Sequence, residues 1–260
     1  MSFSPQSFFQ SFSLDRLVCP AFPPVQRLFY WSVATGLTVS STLASSIASA
    51  DPAKPGTNAY CEVRGAQSSI VTGRGVCLFP SGNRYEGELR EGQRQGRGTF
   101  IYADGTRCEG EFQNDLLNGM VVCKLPNGSR YEGQMRDDQR EGRGRFVFAN
   151  GSQCEGEFRD NQLNGSGVCK FPSGSRYEGQ FQNGRRQGRG VFTFANGVRC
   201  EGEFRKETID GAGVCTFANG DRYEGELRDG RQEGKGTYVF VNGTRVQGVW
   251  RDGKYVEDKK

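Results

Sequence analysis

Short segments in which apolar and polar side chains alternate with a period of two recur along the chain. In one such segment Tyr85, Gly87 and Leu89 alternate with two glutamates, and the aromatic residues 100 and 102 repeat the alternation further on. Period-two alternation is typical of a β-strand with one buried face. A Gly-rich stretch such as Asn183–Gly188 separates the two segments, and an Asn-Gly or Asp-Gly step follows the second. Each copy therefore predicts a β-hairpin that turns through its Gly-rich stretch.

The hairpin pattern belongs to a 23-residue unit that fits residues 85–245 seven times without a gap. Each unit opens with Tyr or Cys followed by Glu-Gly, and we number this residue position 1. The seven opening residues are Tyr85, Cys108, Tyr131, Cys154, Tyr177, Cys200 and Tyr223. Residues 62–84 are a degenerate N-terminal copy, and residues 246–260 are a C-terminal half-copy with a tail. A fixed period of this size predicts a repeat array, in which neighbouring units cover one another's apolar faces.

The recurring pattern, Tyr-Glu-Gly-Glu followed by spaced glycines, two alternating aromatic residues and Asn-Gly, resembles the MORN repeat (membrane occupation and recognition nexus). The resemblance covers residues 62–260. It implies an all-β fold in which stacked hairpins form an elongated, single-layer antiparallel ribbon. With two strands of ~4.8 Å each, every unit advances the ribbon by ~9.6 Å, so eight units give a length on the order of 75 Å. The resemblance also implies phospholipid binding, which has been linked to MORN repeats.

Two rows of side chains are predicted to lie on opposite faces of this sheet. The apolar row at position 5 consists of Leu89, Phe112, Met135, Phe158, Phe181, Phe204, Leu227 and Trp250. We interpret it, with the aromatic residues at positions 1, 16 and 18, as core rather than as a ligand-stacking surface. The outward row consists of glutamates at positions 2 and 4. Because these carboxylates recur in unit after unit with arginines nearby, they predict a cross-strand charge ladder rather than a catalytic pair.

The cysteines alternate with aromatic residues from unit to unit. Tyr at position 1 goes with Phe or Tyr at position 16, whereas Cys at position 1 goes with Cys at position 16, as in Cys108 with Cys123, Cys154 with Cys169 and Cys200 with Cys215. Facing cysteines in an exported protein predict disulfides, and Cys61 with Cys77 completes four pairs. Cys61 stands one place before position 1, so this pair requires a bulge. Free buried thiols are the alternative; a metal site is disfavoured by the 15-residue spacing and the absence of His.

The Gly-rich stretches also alternate between basic and aliphatic residues. Arginines stand at positions 10 and 13 of the Tyr units: Arg94, Arg97, Arg140, Arg143, Arg186 and Arg189. The Cys units carry Leu117, Leu163 and Ile209 at position 10, and the degenerate copy carries Val71. Read as turns, these residues predict a binding edge in which basic clusters meet an anionic surface while aliphatic tips insert. A merely solvated edge is the alternative, because acidic residues lie beside the arginines.

The N-terminal 50 residues do not belong to the repeat. Arg16 and Arg27 precede the apolar run Leu28–Ala44, and Ala48-Ser49-Ala50 follows it. These features predict a signal peptide cleaved after Ala50, followed by a Pro/Gly linker over residues 51–61. The alternative is a membrane anchor over residues 28–50 that is retained. Export would place the protein in the periplasm or outside the cell, an oxidising environment that permits disulfides.

Composition excludes several classes of function. The chain contains 38 Gly and no His, and its 34 basic and 30 acidic residues give a net charge of only +4. Catalytic residues, cofactors and metals are not expected, and nucleic acid is disfavoured because the aromatic residues belong to the core. We expect a non-enzymatic scaffold that binds a partner protein or an anionic phospholipid or envelope surface. The alternatives are a membrane-anchored scaffold and, more remotely, an accessory subunit of a lipid-modifying enzyme; open sheet ends would also allow homo-oligomers.

Overall fold

The computed structural model describes residues 60–63 and 72–256. The predicted signal peptide, most of the predicted linker, Val71 and residues 257–260 lie outside the described residues. The described part is built from β-strands joined by turns and contains no helix. It divides into two compact units between Gly142 and Arg143.

The first unit holds seven complete strands, and an eighth strand spans the division. They are β1 (Tyr60–Val63), β2 (Gly73–Leu78), β3 (Arg84–Arg90), β4 (Gln93–Ile101), β5 (Arg107–Gln113), β6 (Leu116–Lys124), β7 (Arg130–Arg136) and β8 (Gln139–Val147). Strands β1 to β7 pair with their neighbours in chain order, always antiparallel. The linker was therefore predicted two residues too long, because Tyr60 and Cys61 already belong to β1.

The second unit holds ten further strands in the same arrangement. They are β9 (Gln153–Arg159), β10 (Gln162–Lys170), β11 (Arg176–Gln182), β12 (Arg185–Thr193), β13 (Arg199–Arg205), β14 (Thr208–Thr216), β15 (Arg222–Arg228), β16 (Arg231–Val239), β17 (Arg245–Arg251) and β18 (Lys254–Val256). Each pairs antiparallel with the next along the chain. The predicted all-β fold of 23-residue antiparallel hairpins is confirmed.

The register of the hairpins is the one that the alternating cysteines predicted. Position 1 lies opposite position 16, as in Tyr177 with Phe192 and Cys200 with Cys215. Gly179 at position 3 lies opposite Gly190 at position 14. Because neither glycine has a side chain, the two backbones approach closely and leave space for one large side chain above them.

The turn within each hairpin is much shorter than the sequence predicted. In the unit that begins at Tyr177, the turn consists of Asn183 and Gly184 alone, both with positive φ, of 51° and 73°. Strand β12 already starts at Arg185, and the glycine of positive φ at position 12, Gly188, lies inside it beside a register shift. The Gly-rich stretch is therefore a β-bulge rather than a turn. Its residues belong to a strand, so their side chains alternate between the two faces of the sheet.

The two kinds of unit fill the space over the paired glycines in different ways. In a Tyr unit the ring of Tyr177 lies over Gly190, where an added Cβ would come within 2.4 Å of the Tyr177 hydroxyl. That hydroxyl donates a hydrogen bond of 2.9 Å to the carbonyl of Gln180. In a Cys unit the position-10 side chain lies there instead: a Cβ added to Gly202 would come within 2.8 Å of the Ile209 Cγ2 atom. The paired positions must therefore carry small residues, whether the tyrosine ring or the position-10 side chain lies above them.

Candidate functional site

The predicted binding edge does not form as the sequence suggested, because six of its nine residues are buried. The position-10 residues Arg94, Arg140, Arg186, Leu117, Leu163 and Ile209 are each no more than 4% exposed. The prediction that these side chains meet or insert into an anionic surface is wrong. The physical reason is the short turn: position 10 is the second residue of a strand, and its side chain points to the core face.

A buried arginine stands at the centre of the first Tyr unit. The backbone N–H of Arg94 donates a hydrogen bond of 2.8 Å to Oδ1 of Asp115, and its Nε lies 3.4 Å from the same oxygen. The guanidinium carbon lies 4.7 Å from the ring centre of Phe100 and 5.6 Å from that of Phe112. Burial lowers the pKa of Arg94, and the carboxylate of Asp115 opposes that shift. The arginine is therefore held by an acid of the next unit and by aromatic faces.

The third Tyr unit repeats this arrangement with a longer acid. Nε of Arg186 lies 2.8 Å from Oε2 of Glu207, and its backbone N–H donates to Oε1 at 3.1 Å. In both cases the acid is at position 8 of the following Cys unit, in its two-residue turn. A buried Arg and a turn residue thus link a Tyr unit to the Cys unit after it.

Position 10 therefore switches together with positions 1 and 16, a relationship that the sequence analysis missed. Tyr at position 1 covers the glycines and leaves position 10 to an arginine, or to Gln232 in the unit of Tyr223. Cys at position 1 leaves the glycines to be covered by Leu or Ile at position 10. The signal was present in the sequence, since Arg94, Arg140 and Arg186 occur only with Tyr at position 1. Burial was not expected because arginine is rarely buried without a partner, and the partner lies 21 residues further on.

The structure contains four disulfides, which join the pairs that the sequence suggested. Cys108–Cys123, Cys154–Cys169 and Cys200–Cys215 each close a hairpin, with Cα atoms 4.0 to 4.1 Å apart. Cys61–Cys77 joins β1 to β2 with the residues directly opposite each other. Cys61 lies directly opposite Cys77 and so takes position 1, without the bulge that the sequence predicted. The two cysteines of this pair are 16 residues apart in sequence, one more than in the other pairs. Seven of these cysteines are buried; Cys61 is half-buried.

The exposed side of the strands, which we call the outer face, carries the side chains of positions 2, 4, 13, 15, 17 and 23. The remaining residues of the predicted edge, Arg97, Arg143 and Arg189 at position 13, are exposed on it. Arg97 lies opposite Glu111 and Arg189 opposite Glu203 on the neighbouring strands. The exposed arginines at position 13 therefore face carboxylates, which reduces the positive charge of the outer face.

The ion pairs that recur on the outer face run along strands, while Arg228 and Glu233 form a longer contact of 4.0 Å between two neighbouring strands. An arginine at position 23 contacts the glutamate two residues later in six units: Arg84–Glu86, Arg107–Glu109, Arg130–Glu132, Arg176–Glu178, Arg199–Glu201 and Arg222–Glu224. The predicted charge ladder is thus present, but its direction was wrong. Across the strands, these glutamates lie opposite Val or Thr at position 15 in most units, as Glu201 lies opposite Val214, whereas the unit of Tyr131 carries Arg145 at that position. The side chains are about half exposed, so each pair contributes little to stability.

The described residues contain no cluster of His, Cys, Asp or Glu that could hold a metal ion. Over the same part of the chain, we find no helix long and apolar enough to cross a membrane. A shallow pocket in the second unit is lined by Arg145, Gln153, Cys154, Glu155, Val168 and Lys170. Its cysteine is in a disulfide, so the pocket offers no free thiol.

Comparison with known proteins gives one strong match and several weak ones. No curated protein sequence matches the chain. Among solved structures, the TCP domain of Drosophila melanogaster SAS-4 in complex with a proline-rich motif of Ana2 is 16% identical, covers 60% of this chain and 85% of its own, and has a TM-score of 0.41. A mutant TCP10 domain of Danio rerio CPAP is 13% identical, covers 68% of this chain and 90% of its own, and has a TM-score of 0.39. Scores of this size transfer neither fold nor function.

The strong match is to the family of MORN repeats. Its profile matches eight consecutive segments: 72–84, 85–107, 108–130, 131–153, 154–176, 177–199, 200–222 and 223–245. The last seven coincide with the units read from the sequence, whereas the first begins at residue 72, ten residues after the predicted start of the degenerate copy. The chain therefore belongs to the MORN repeat family.

Proposed function

We propose that this protein is an exported, non-enzymatic MORN-repeat scaffold that binds a partner protein through its outer face. The observation that carries the proposal is the composition of that face. It presents exposed arginines and glutamates at fixed spacing, with Val or Thr between them, on strands that disulfides hold together. Such a surface offers many weak polar contacts in a rigid array, and contacts of this kind add by multivalency.

A protein partner fits this face better than an anionic membrane does. Burial removes Arg94, Arg140 and Arg186 from the predicted edge, and burial of Leu117 and Leu163 removes two of the tips that would enter a bilayer. The exposed arginines at position 13 lie opposite glutamates, so cations and anions are interspersed. Interspersed charges select a partner of complementary pattern, whereas membrane association requires an excess of positive charge.

Export is supported by the disulfides. Four disulfides are stable in an oxidising compartment and rare in the cytosol of most organisms. The predicted signal peptide points to the same compartment. The membrane-anchored alternative predicts that the full-length chain resists extraction from cells without detergent, so such an extraction separates the two.

The absence of an enzymatic role is supported by the chemistry of the side chains. The chain has no His, and the glutamates that recur from unit to unit form a row of ion pairs. The cysteines of the described part are in disulfides. A catalytic site needs groups placed once and held in unusual environments. Here the buried ionisable groups recur from unit to unit and serve packing.

The test compares the wild-type chain with an Arg97→Glu/Arg189→Glu variant. Both proteins are first crosslinked in cells of the source organism. Both are then purified with disulfides intact and mixed with anionic phospholipid vesicles. We expect a crosslinked protein partner that the variant loses at unchanged thermal stability, and no vesicle binding by either protein. Vesicle binding that the variant loses would instead assign the face to a membrane. A Lys206→Glu variant, which reverses an exposed charge in a two-residue turn outside the outer face, is the matched control and should keep the partner.

A further inference from the structure

Strand β17 differs from every other first strand of a repeat in the second unit because its partner covers only half of it. On one side β17 pairs with β16 along its whole length, from Arg245 to Trp250. On the other side the described part of β18, which ends at Val256, pairs with Val249–Arg251. Within the described residues, Arg245–Gly248 therefore has an edge with no strand beside it.

The register identifies which backbone groups face this edge. In the hairpins the Cα atoms of positions 1 and 16 are 4.0 to 4.1 Å apart, the short distance of a pair that exchanges no hydrogen bonds. Position 1 therefore bonds to the preceding strand, and positions 23 and 2 bond to the following one. In β17 this assigns the N–H and C=O groups of Val246 to β16 and those of Arg245 and Gln247 to the open edge.

The side chains at this edge also differ from those of the other units. Gln247 stands at position 2, where residues 86, 109, 132, 155, 178, 201 and 224 are all glutamate. Arg245, at position 23, consequently lacks the same-strand carboxylate that six equivalent arginines contact, and it is exposed. Val246 replaces the buried Tyr or Cys of position 1 and is half-buried.

A buried polar group without a partner lies on the same strand. Trp250 is 1% exposed, and its indole Nε1 has no hydrogen-bond acceptor among the residues that the structure describes. It shares a face of β17 with Val246 and Gly248, because alternate residues of a strand point the same way. An unpaired buried donor costs free energy, and the indole of Trp250 therefore reports on changes at this strand.

We propose that the open edge of β17 binds an extended segment of a partner protein as an added strand. The other units show what a strand in this place contains. Opposite Gly248 they place a small residue, opposite Gln247 a β-branched residue, and opposite Val246 a large apolar one, as Gly190, Val191 and Phe192 do for β11. Opposite Arg245 an acidic residue supplies the missing carboxylate. The segment thus reads small, β-branched, large apolar, acidic, and runs antiparallel to β17.

This edge is separate from the outer face, so the proposal goes beyond the proposed function and either can fail alone. A second copy of the chain is a poorer occupant. Another β17 would place Arg245 opposite residues of a strand that has no acidic residue between Arg245 and Arg251. Charge complementarity therefore favours a partner that brings its own carboxylate.

The experiment uses the full chain carrying Trp31→Phe, which leaves Trp250 as the one tryptophan of the two in the sequence. The probe is the capped peptide Ser-Gly-Val-Phe-Glu-Ser. We expect a saturable change in Trp250 fluorescence and a shift of its single indole N–H resonance. Replacing the Glu of the peptide by Lys should weaken binding about threefold to fivefold, the range of an exposed ion pair.

Two variants of the edge control for folding. Gln247→Pro removes an N–H that faces the open edge and leaves the bonds to β16 intact, so it should abolish binding without a change in melting temperature. Gln247→Thr keeps that N–H and should bind like the parent chain. Equal binding by both variants would overturn the proposal.

Two further results would also overturn it. Binding that appears only after residues 257–260 are removed would show that the chain's own C-terminus occupies the edge. Concentration-dependent dimerisation that Gln247→Pro abolishes and the peptide does not compete with would assign the edge to a second copy.

Discussion

Arg94 and Asp115 form an ion pair that is buried between two successive repeats. The side chains are only 4% and 6% exposed, and the rings of Phe100 and Phe112 lie beside the guanidinium. Asp115 also accepts the backbone N–H of Arg94 at 2.8 Å. The pair therefore fixes which residue of one repeat meets which residue of the next, a role in register rather than in binding.

Removing one member of this pair should be more damaging than replacing both. We expect Asp115→Ala to destabilise the protein by ~3–5 kcal/mol, because it leaves a buried guanidinium without its carboxylate. The double change Arg94→Met/Asp115→Ala should cost less than the single change, since no charge is left buried. Urea denaturation of the two variants and of Arg94→Met completes a double-mutant cycle. Additive effects of the two substitutions would contradict the coupling.

A Tyr unit should be convertible into a Cys unit when three positions change together. Tyr177→Cys alone removes the ring that covers Gly190 and should cost ~3–5 kcal/mol, as expected for a large core cavity. Adding Arg186→Leu fills the space over the glycines, and Phe192→Cys restores a facing pair that can form a disulfide. We expect the triple variant to be the more stable of the two, by calorimetric melting under oxidising conditions. If the single variant is as stable as the triple, positions 1, 10 and 16 are independent.

Each hairpin disulfide should stabilise the fold separately. The loops of 15 residues predict a loss of ~3 kcal/mol for each cysteine pair replaced, in the chain-entropy account. Replacing Cys154 and Cys169 by Ser tests this in the second unit, with Ser166→Ala on the same strand as the control. The wild-type protein from its own cells should also contain no free thiol after export. Free thiols in the unreduced protein would place the array in a reducing compartment.

The sequence determined the register because pairs of residues change together. Cys200 and Cys215 can switch with Tyr223 and Tyr238 only if each pair lies face to face, so hairpin pairing could be read from one chain. The turn could not, because glycine of positive φ is compatible with both a turn and a bulge. Gly188 was assigned to a turn, whereas Asn183 and Gly184 alone complete it. That displacement moved Arg186 from a predicted surface into the core.

The charges were harder to place than the apolar residues. Arg186 is held in the core by the carboxylate of Glu207 and by aromatic rings, and Glu207 lies in the next unit. A pattern read within one unit therefore misses it. The outward ion pairs were expected across strands, but the side chain of Arg199 reaches Glu201 on its own strand because residues two apart share a face.

The buried tyrosines should make stability fall at alkaline pH. Burial raises the pKa of the Tyr223 hydroxyl above its ordinary value, and the carboxylates of Glu226 and Glu233 add to the shift. Burial also raises the pKa of Tyr85 and Tyr131. The folded state then holds these protons more tightly than the unfolded state. Their contribution to stability is complete below about pH 10, the pKa of an unfolded tyrosine, and is lost as the pH rises above it.

Two buried arginines act in the opposite direction. Burial lowers the pKa of Arg94 and lowers that of Arg140 to about 10, so the folded state releases these protons more readily than the unfolded state, and stability gains from a rise in pH. Five tyrosines with a raised pKa against two arginines leave a net decline. Urea denaturation between about pH 8 and pH 11 measures it. Tyr223→Phe loses the hydrogen bond to the Glu226 carbonyl, about 1 kcal/mol, but should show a shallower decline than the wild type; equal slopes would remove Tyr223 from the explanation.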